Sequence, residues 1–329
     1  LLAQEEPSDA LPMMFRQAFQ APTKIQAKVS PSQSYDKVAS ANRLFQSAIR
    51  ALELIIPEPS TYNWTQEIPP VEESYQGAEQ LSFTFRELFA GGDQLAPLLS
   101  LPELVEEQLH IPVLVTKAGA KEGASAVIGG VPVIIVAPRF EPRMLFTLAH
   151  ELGHVLFHHD FSKNFVVVDN EDNNEFRQVK NRAEAFANAF ASALLLPPRG
   201  LGVALKAIKK TTGSTGAQVG DIEILYIAHI FGVSFQVAAQ RCEAYGILPR
   251  GGGAALYEQL HREYGSPEKR AQAAGLPARP EIRFPPVSRV LLEHAVRRVR
   301  QGDISIGRAA EALNMTVSDL TAFNAIPLQ

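Results

Sequence analysis

Two histidines and a glutamate interrupt an otherwise mostly apolar run, Met144-Leu145-Phe146-Thr147-Leu148-Ala149-His150-Glu151-Leu152-Gly153-His154-Val155-Leu156-Phe157, with His158 following, and no other stretch of the 329 residues limits the fold as tightly. With about 3.6 residues per helical turn, a helix through this run projects His150 and His154 from one face, within reach of a single ion, with Glu151 just beside them. Because nearly every neighbour is apolar, the three ionisable groups fall in a low-dielectric setting and need a partner there. One divalent cation serves all three. In the H-E-x-x-H spacing the imidazoles bind zinc, while the glutamate stays off the metal and takes a proton from the attacking water. The alternative is a chance match on a core helix whose histidines are merely hydrogen-bonded.

A catalytic zinc site has three protein ligands and an open position, so a third ligand is expected on a separate element. The run Arg182 to Leu196, stopped by Pro197 and Pro198, is a strong helix by composition. Glu184 and Asn188 stand one turn apart on it. Glu184 can bind the metal, and Asn188 can hold the outer nitrogen of a ligating histidine. Competing ligands are weaker. His158 continues the spacing on the same helix, and three ligands from one straight helix cannot surround an ion. Asp172 and Glu175 lie in a polar loop. Asp160 stands where a metzincin-type pattern needs a histidine.

Three blocks resemble the ImmA/IrrE family of bacterial regulatory zinc peptidases. They are Phe146 to His154 with His158 following, Glu184-x-x-Ala187-Asn188-x-Phe190-Ala191-x-x-Leu194-Leu195-x-Pro197, and the stretch Gly123 to Val136, which is similar to the family's hairpin before the active-site helix. The resemblance implies His150, His154 and Glu184 as metal ligands and Glu151 as general base. It also implies a protein substrate, typically a helix-turn-helix repressor or antitoxin whose cleavage switches on stress, phage or mobile-element genes. Spacing and composition alone stop at a metal-dependent hydrolase.

At 46% hydrophobic and 20% charged residues the chain is composed like a globular protein of more than one domain. No apolar stretch approaches the roughly 20 residues needed to cross a bilayer, and no membrane partner is expected. Cys242 is the single cysteine, which excludes an intramolecular disulfide and agrees with a reducing, cytoplasmic compartment. It reads as a packed side chain. Since the chain opens on Leu1, the missing signal peptide counts for little. A net charge of -4 argues against a polyanion-coating protein, so DNA binding would need one small module.

Four regions are expected: a helical and irregular N-terminal region over 1–95, a zinc peptidase domain over 96–210, a helix-turn-helix-like segment over 217–250 and a C-terminal helical module over 281–329. Leu1 to Ser34 reads as loosely structured, and Tyr35 to Ile56 as an amphipathic helix. Prolines 57, 59, 69 and 70 mark an irregular connection with Trp64 as packing anchor. Helices are predicted over Gly77 to Phe89 and Leu98 to His110. Strands follow at Pro112 to Lys117, Ala124 to Ile128 and Val131 to Ala137, with Gly129-Gly130 as a hairpin turn. An exposed edge of this sheet would hold an extended substrate by backbone hydrogen bonds.

Asp160 to Lys180 reads as a flap or an inert insertion. Leu201 to Lys210 is a short basic helix and Thr211 to Gly220 a linker. Asp221 to Leu248 has the helix-turn-helix outline, its second helix exposing Gln236, Gln240 and Arg241, or else packing on the peptidase core. Gly251 to Gly253 and the Pro- and Ala-rich segment through Pro280 form a break. The C-terminal module carries Arg289, Arg297, Arg298, Arg300 and Arg308 and would bind DNA, bind the substrate or cap the fold.

The reading is an α+β, mostly helical fold, with a zincin-like metallopeptidase core, a small β-sheet and helix-turn-helix-like accessory helices. Zinc is the expected cofactor, although manganese or iron can share such ligands. Tyr226 and His229 are the candidates for stabilising the oxyanion. The rival class is a DNA-binding regulator or toxin-antitoxin component with a structural or vestigial metal site.

Overall fold

The computed structural model describes residues 49, 51–55, 62, 64–116, 122–158, 165–168, 182–213 and 219–324. After one helical turn, α1 (Trp64–Glu67), come α2 (Tyr75–Phe89), α3 (Leu101–Leu109), β1 (Val113–Val115), β2 (Gly123–Ile128), β3 (Val131–Val136), α4 (Glu141–Phe157), β4 (Phe165–Val168), α5 (Arg182–Leu195) and α6 (Pro198–Thr212). The chain continues through α7 (Asp221–Phe231), α8 (Phe235–Ala244), α9 (Gly252–Tyr264), α10 (Pro267–Ala273), α11 (Arg289–Gln301), α12 (Ile306–Ala312) and α13 (Val317–Asn324). The architecture is α+β and mostly helical, as expected. Among the described residues, no single helix is long and apolar enough to cross a membrane.

The sheet runs in the order β1-β3-β2-β4. β1 pairs parallel with β3, while β2 pairs antiparallel with both β3 and β4. Gly129 and Gly130 have φ of 59° and 81°, the left-handed pair that a two-residue hairpin turn requires. Successive strand residues face opposite sides, so β3 divides its side chains between two cores. Ile134 and Val136 join the principal core with Leu145, Leu148 and Leu152 of α4. Val131, Val133 and Ile135, with Ala124 and Ala126 of β2, face Leu291, Ala295, Ala309 and Leu320 of the C-terminal helices and Leu52 and Ile55 of the helical residues 51–55. Of the three roles open to the C-terminal module, the packing is that of a cap on the sheet. Glu106 fastens it: one carboxylate oxygen accepts from the Val113 backbone N–H at 2.9 Å, the other from that of Arg289 at 2.8 Å.

Two buried arginines hold the end of α5. Arg86 donates Nε and Nη2 to the Leu194 carbonyl at 2.9 and 2.6 Å. Arg241 donates Nε to the Leu196 carbonyl at 3.0 Å and pairs with Glu79. Guanidinium groups placed there satisfy carbonyls left open at a helix C-terminus and oppose its partial negative charge. The expected exposure of Arg241 is therefore corrected: it is 1% exposed, because α8 packs its Val237, Ala238 and Cys242 into the principal core. α7 and α8 meet at 109° around Gly232, so the outline is present while its second helix is committed to the interior. Arg279 pins the turn through the carbonyls of Ala228 and Val233 at 2.8 and 2.9 Å.

Trp64 anchors the proline-rich connection as expected, donating its indole N–H to the Leu109 carbonyl at 3.0 Å. The break expected at Gly251 to Gly253 instead opens α9. The Glu243 carboxylate accepts from the Gly251 and Gly253 backbone N–H groups at 2.9 and 2.7 Å, supplying a helix start from a neighbouring helix rather than from a local capping side chain. Within Asp160 to Lys180, Phe165–Val168 forms β4. The rest of that loop, the expected helix before residue 49 and the stretch Leu1 to Ser34 lie outside the described residues.

Candidate metal centre

α4 begins at Glu141, and Pro142 is tolerated in its first turn because its missing N–H is not needed there. It ends with the His158 N–H on the His154 carbonyl at 2.8 Å. His150, Glu151 and His154 are all buried, Glu151 completely. α5 crosses against α4 at Gly153, where an added Cβ would lie 2.9 Å from Phe190 and 3.3 Å from the Ala187 Cα. This close approach brings Glu184 and Asn188 to the two histidines.

The three expected ligands converge. His150 Nε2 and His154 Nε2 are 3.1 Å apart, and the Glu184 carboxylate places Oε2 3.2 Å from the first and Oε1 3.4 Å from the second. For zinc–ligand distances near 2.0–2.1 Å, the edges of a tetrahedron are about 3.3–3.4 Å. The imidazole nitrogens and the two carboxylate oxygens approach one another at separations of that order, and the three residues could hold a metal ion.

Second contacts settle which nitrogens face the centre. His150 Nδ1 is 3.0 Å from Asn188 Oδ1; an amide oxygen only accepts, so Nδ1 carries the proton and Nε2 keeps its lone pair. His154 Nδ1 is 3.2 Å from His158 Nδ1, whose Nε2 is 3.3 Å from Glu73 Oε1. Because Glu73 accepts, His158 donates from Nε2 and accepts at Nδ1, and His154 must donate from Nδ1. Its Nε2 is thereby also free to bind a cation. Arg182 closes the chain, with its guanidinium 3.3 Å from the Glu73 carboxylate and a donated bond of 2.8 Å to the Glu73 carbonyl.

The electrostatics favour the same protonation states. Burial pushes the His154 and His158 imidazoles below the ordinary histidine range, outweighing Glu184 and Glu73. Burial works against the Glu184 charge, yet the neighbouring His150 and His154 imidazoles hold its carboxyl far below the usual range. Neutral imidazoles and an ionised carboxylate are the forms that bind metal.

β2 passes directly over the glutamate. A Cβ on Gly123 would lie 2.4 Å from Thr147 Cγ2 and 3.1 Å from Glu151 Oε1, so the strand can approach the base only without a side chain. On the other side Phe157 stacks on Phe186 with centroids 4.1 Å apart, and His158 meets Phe186 edge-on at 5.6 Å.

Among the residues singled out by sequence, the structure brings together His150, Glu151, His154, Glu184 and Asn188. His158 is a support for His154, not a ligand. Asp172 and Glu175 lie outside the described residues. His229 is taken up by the Pro277 carbonyl at 2.9 Å and lies 3.7 Å from Glu268, and Tyr226 packs on the principal core. Glu73 and Gly123 escaped sequence reasoning. Glu73 sits far upstream without a helix to give it a spacing, whereas the hairpin position of Gly123 was a usable signal.

The profile of the Peptidase_M78 family, the IrrE N-terminal-like domain, matches residues 106–243, which contain β1 through all but the last residue of α8 and the three expected ligands. No curated protein matches the chain. The resemblance carried by the three sequence blocks is borne out over that span, and the zincin-like core agrees with it.

Proposed function

We propose, from the premise that residues 106–243 are an IrrE N-terminal-like peptidase domain, that this protein is a zinc-dependent endopeptidase cutting a regulatory protein. The substrate class is a helix-turn-helix repressor or antitoxin, whose removal turns on stress, phage or mobile-element genes. The observation that carries the reading is the convergence of His150 Nε2 and His154 Nε2, 3.1 Å apart, on the Glu184 carboxylate, whose Oε2 and Oε1 lie 3.2 and 3.4 Å from them, beside a fully buried Glu151.

Zinc held by these residues supplies Lewis-acid polarisation of the scissile carbonyl and of the attacking water. Glu151 takes the water's proton on its carboxylate and returns it to the leaving amine. Its burial keeps bulk water from competing for that proton. Asn188 and His158 hold the two imidazoles in the tautomer that binds metal, and the Gly123 backbone borders the space where a scissile bond must lie.

The test is metal content and cleavage on folded wild type, His150→Ala, Glu184→Ala and Glu151→Gln, with candidate repressors as substrates. One metal per chain is expected in wild type and Glu151→Gln, with strong loss in the other two and no cleavage in any variant. A folded wild type that binds no metal, or sequence-specific DNA binding that persists in Glu151→Gln without any cleavage, would move the assignment to a DNA-binding regulator.

A further inference from the structure

The sheet edge nearest the metal centre is already paired. β2 touches Glu151 through Gly123, and in the order β1-β3-β2-β4 it would be the outermost strand but for β4. β4 pairs antiparallel along it, with Ala124 opposite Val168, Ser125 opposite Val167, Ala126 opposite Val166 and Val127 opposite Phe165. Neighbouring strands lie about 4.8 Å apart. Val168 is therefore within one strand spacing and one residue of the point where β2 crosses the base. The expected open edge is corrected: the chain's own Phe-Val-Val-Val segment lies along it.

An extended peptide that adds to a sheet edge gains backbone hydrogen bonds without regard to sequence and specificity from alternate side chains. β4 has that arrangement and is made of residues that favour extended backbone. We infer that β4 occupies the substrate-docking edge of β2, that the protein substrate pairs there only after displacing it, and that the accepted segment is, like β4, extended and rich in β-branched or aromatic apolar residues. Calling the displacing partner a substrate rests on the peptidase reading. The competition for the edge does not.

Because no catalysis is needed, the experiment uses the full chain carrying Glu151→Gln. The probe is a fluorescent peptide with the sequence of residues 163–170, its affinity read by anisotropy. Adding Val166→Pro, which removes a backbone donor from β4 and disfavours its pairing, is expected to tighten peptide binding at least tenfold. Adding Ser125→Cys with Val167→Cys, directly opposite in register and within disulfide reach of one another, is expected to abolish binding when oxidised and restore it on reduction. Equal binding by the oxidised and reduced forms would overturn the inference, as would no binding by any form. Weaker binding by Val166→Pro in a folded protein would also overturn it, by making the outer edge of β4 the platform. Should Val166→Pro fail to fold, the oxidised and reduced pair decides alone. A protein that binds the peptide as described yet cleaves nothing would leave the edge assignment standing and sink the peptidase reading.

Discussion

At the scale of single residues, the centre is a set of lone pairs aimed by neighbours that never touch the metal. His150 and His154 were legible because helical periodicity alone places them together, and Glu184 and Asn188 because the second helix repeats that logic. Glu73 was not, since its role depends on how α2 docks beside the end of α4. Removing the Asn188 amide should let the His150 ring turn and should lower metal affinity about 10–100-fold, while circular dichroism and thermal unfolding change little. Competition with a chromophoric chelator measures the difference. Unchanged affinity would mean that the 3.0 Å contact does not orient the ring.

Between elements, the spacing of α4 and α5 depends on Gly153. Gly153→Ala puts a methyl where Phe190 and Ala187 already stand at 2.9 and 3.3 Å, and overpacked cores lose about 1–3 kcal/mol. The variant should melt earlier and also hold metal more weakly, because α5 carries Glu184. Stability and metal titrations on one sample test both effects. Elsewhere, burial opposes the Glu268 charge, yet the His229 imidazole 3.7 Å away and hydrogen bonds from Arg279 hold its carboxyl at about 2, against 4.5 unperturbed. A depressed carboxylate stabilises the fold fully above the unfolded value and loses that stabilisation as pH falls from 4.5 towards 2. Glu268→Gln should flatten this part of an acid melting curve, by a modest amount because the side chain is 42% exposed. The helices from α2 to α5 and the hairpin could be read from periodicity and turn residues. α9 and α10 could not, since glycines 251 to 253 signal a break until Glu243, on another helix, caps them.

Across the whole molecule the sheet lies between two helical layers, with the metal centre in one and α11 to α13 in the other. Sequence reasoning left three roles for those last helices because their amphipathic faces fit a recognition module as well as a cap. The structure shows the capping role: Ala124, Ala126, Val133 and Ile135 are buried beneath them. Leu291→Ala should therefore cost about 2–5 kcal/mol, shifting the denaturant midpoint of a transition that includes the peptidase core. A separate, earlier transition for the C-terminal helices would show that they fold apart from it.

Enclosing one sheet between early and late parts of the chain also sets an order of manufacture. All three expected ligands leave the ribosome well before Leu291, and 136 residues separate Glu184 from Leu320, a delay of roughly 7–27 s at 5–20 residues per second. During that interval the back of the sheet lacks its cover. The nascent protein thus has the residues of its candidate centre, and the principal core around them, before the far face of its sheet is covered.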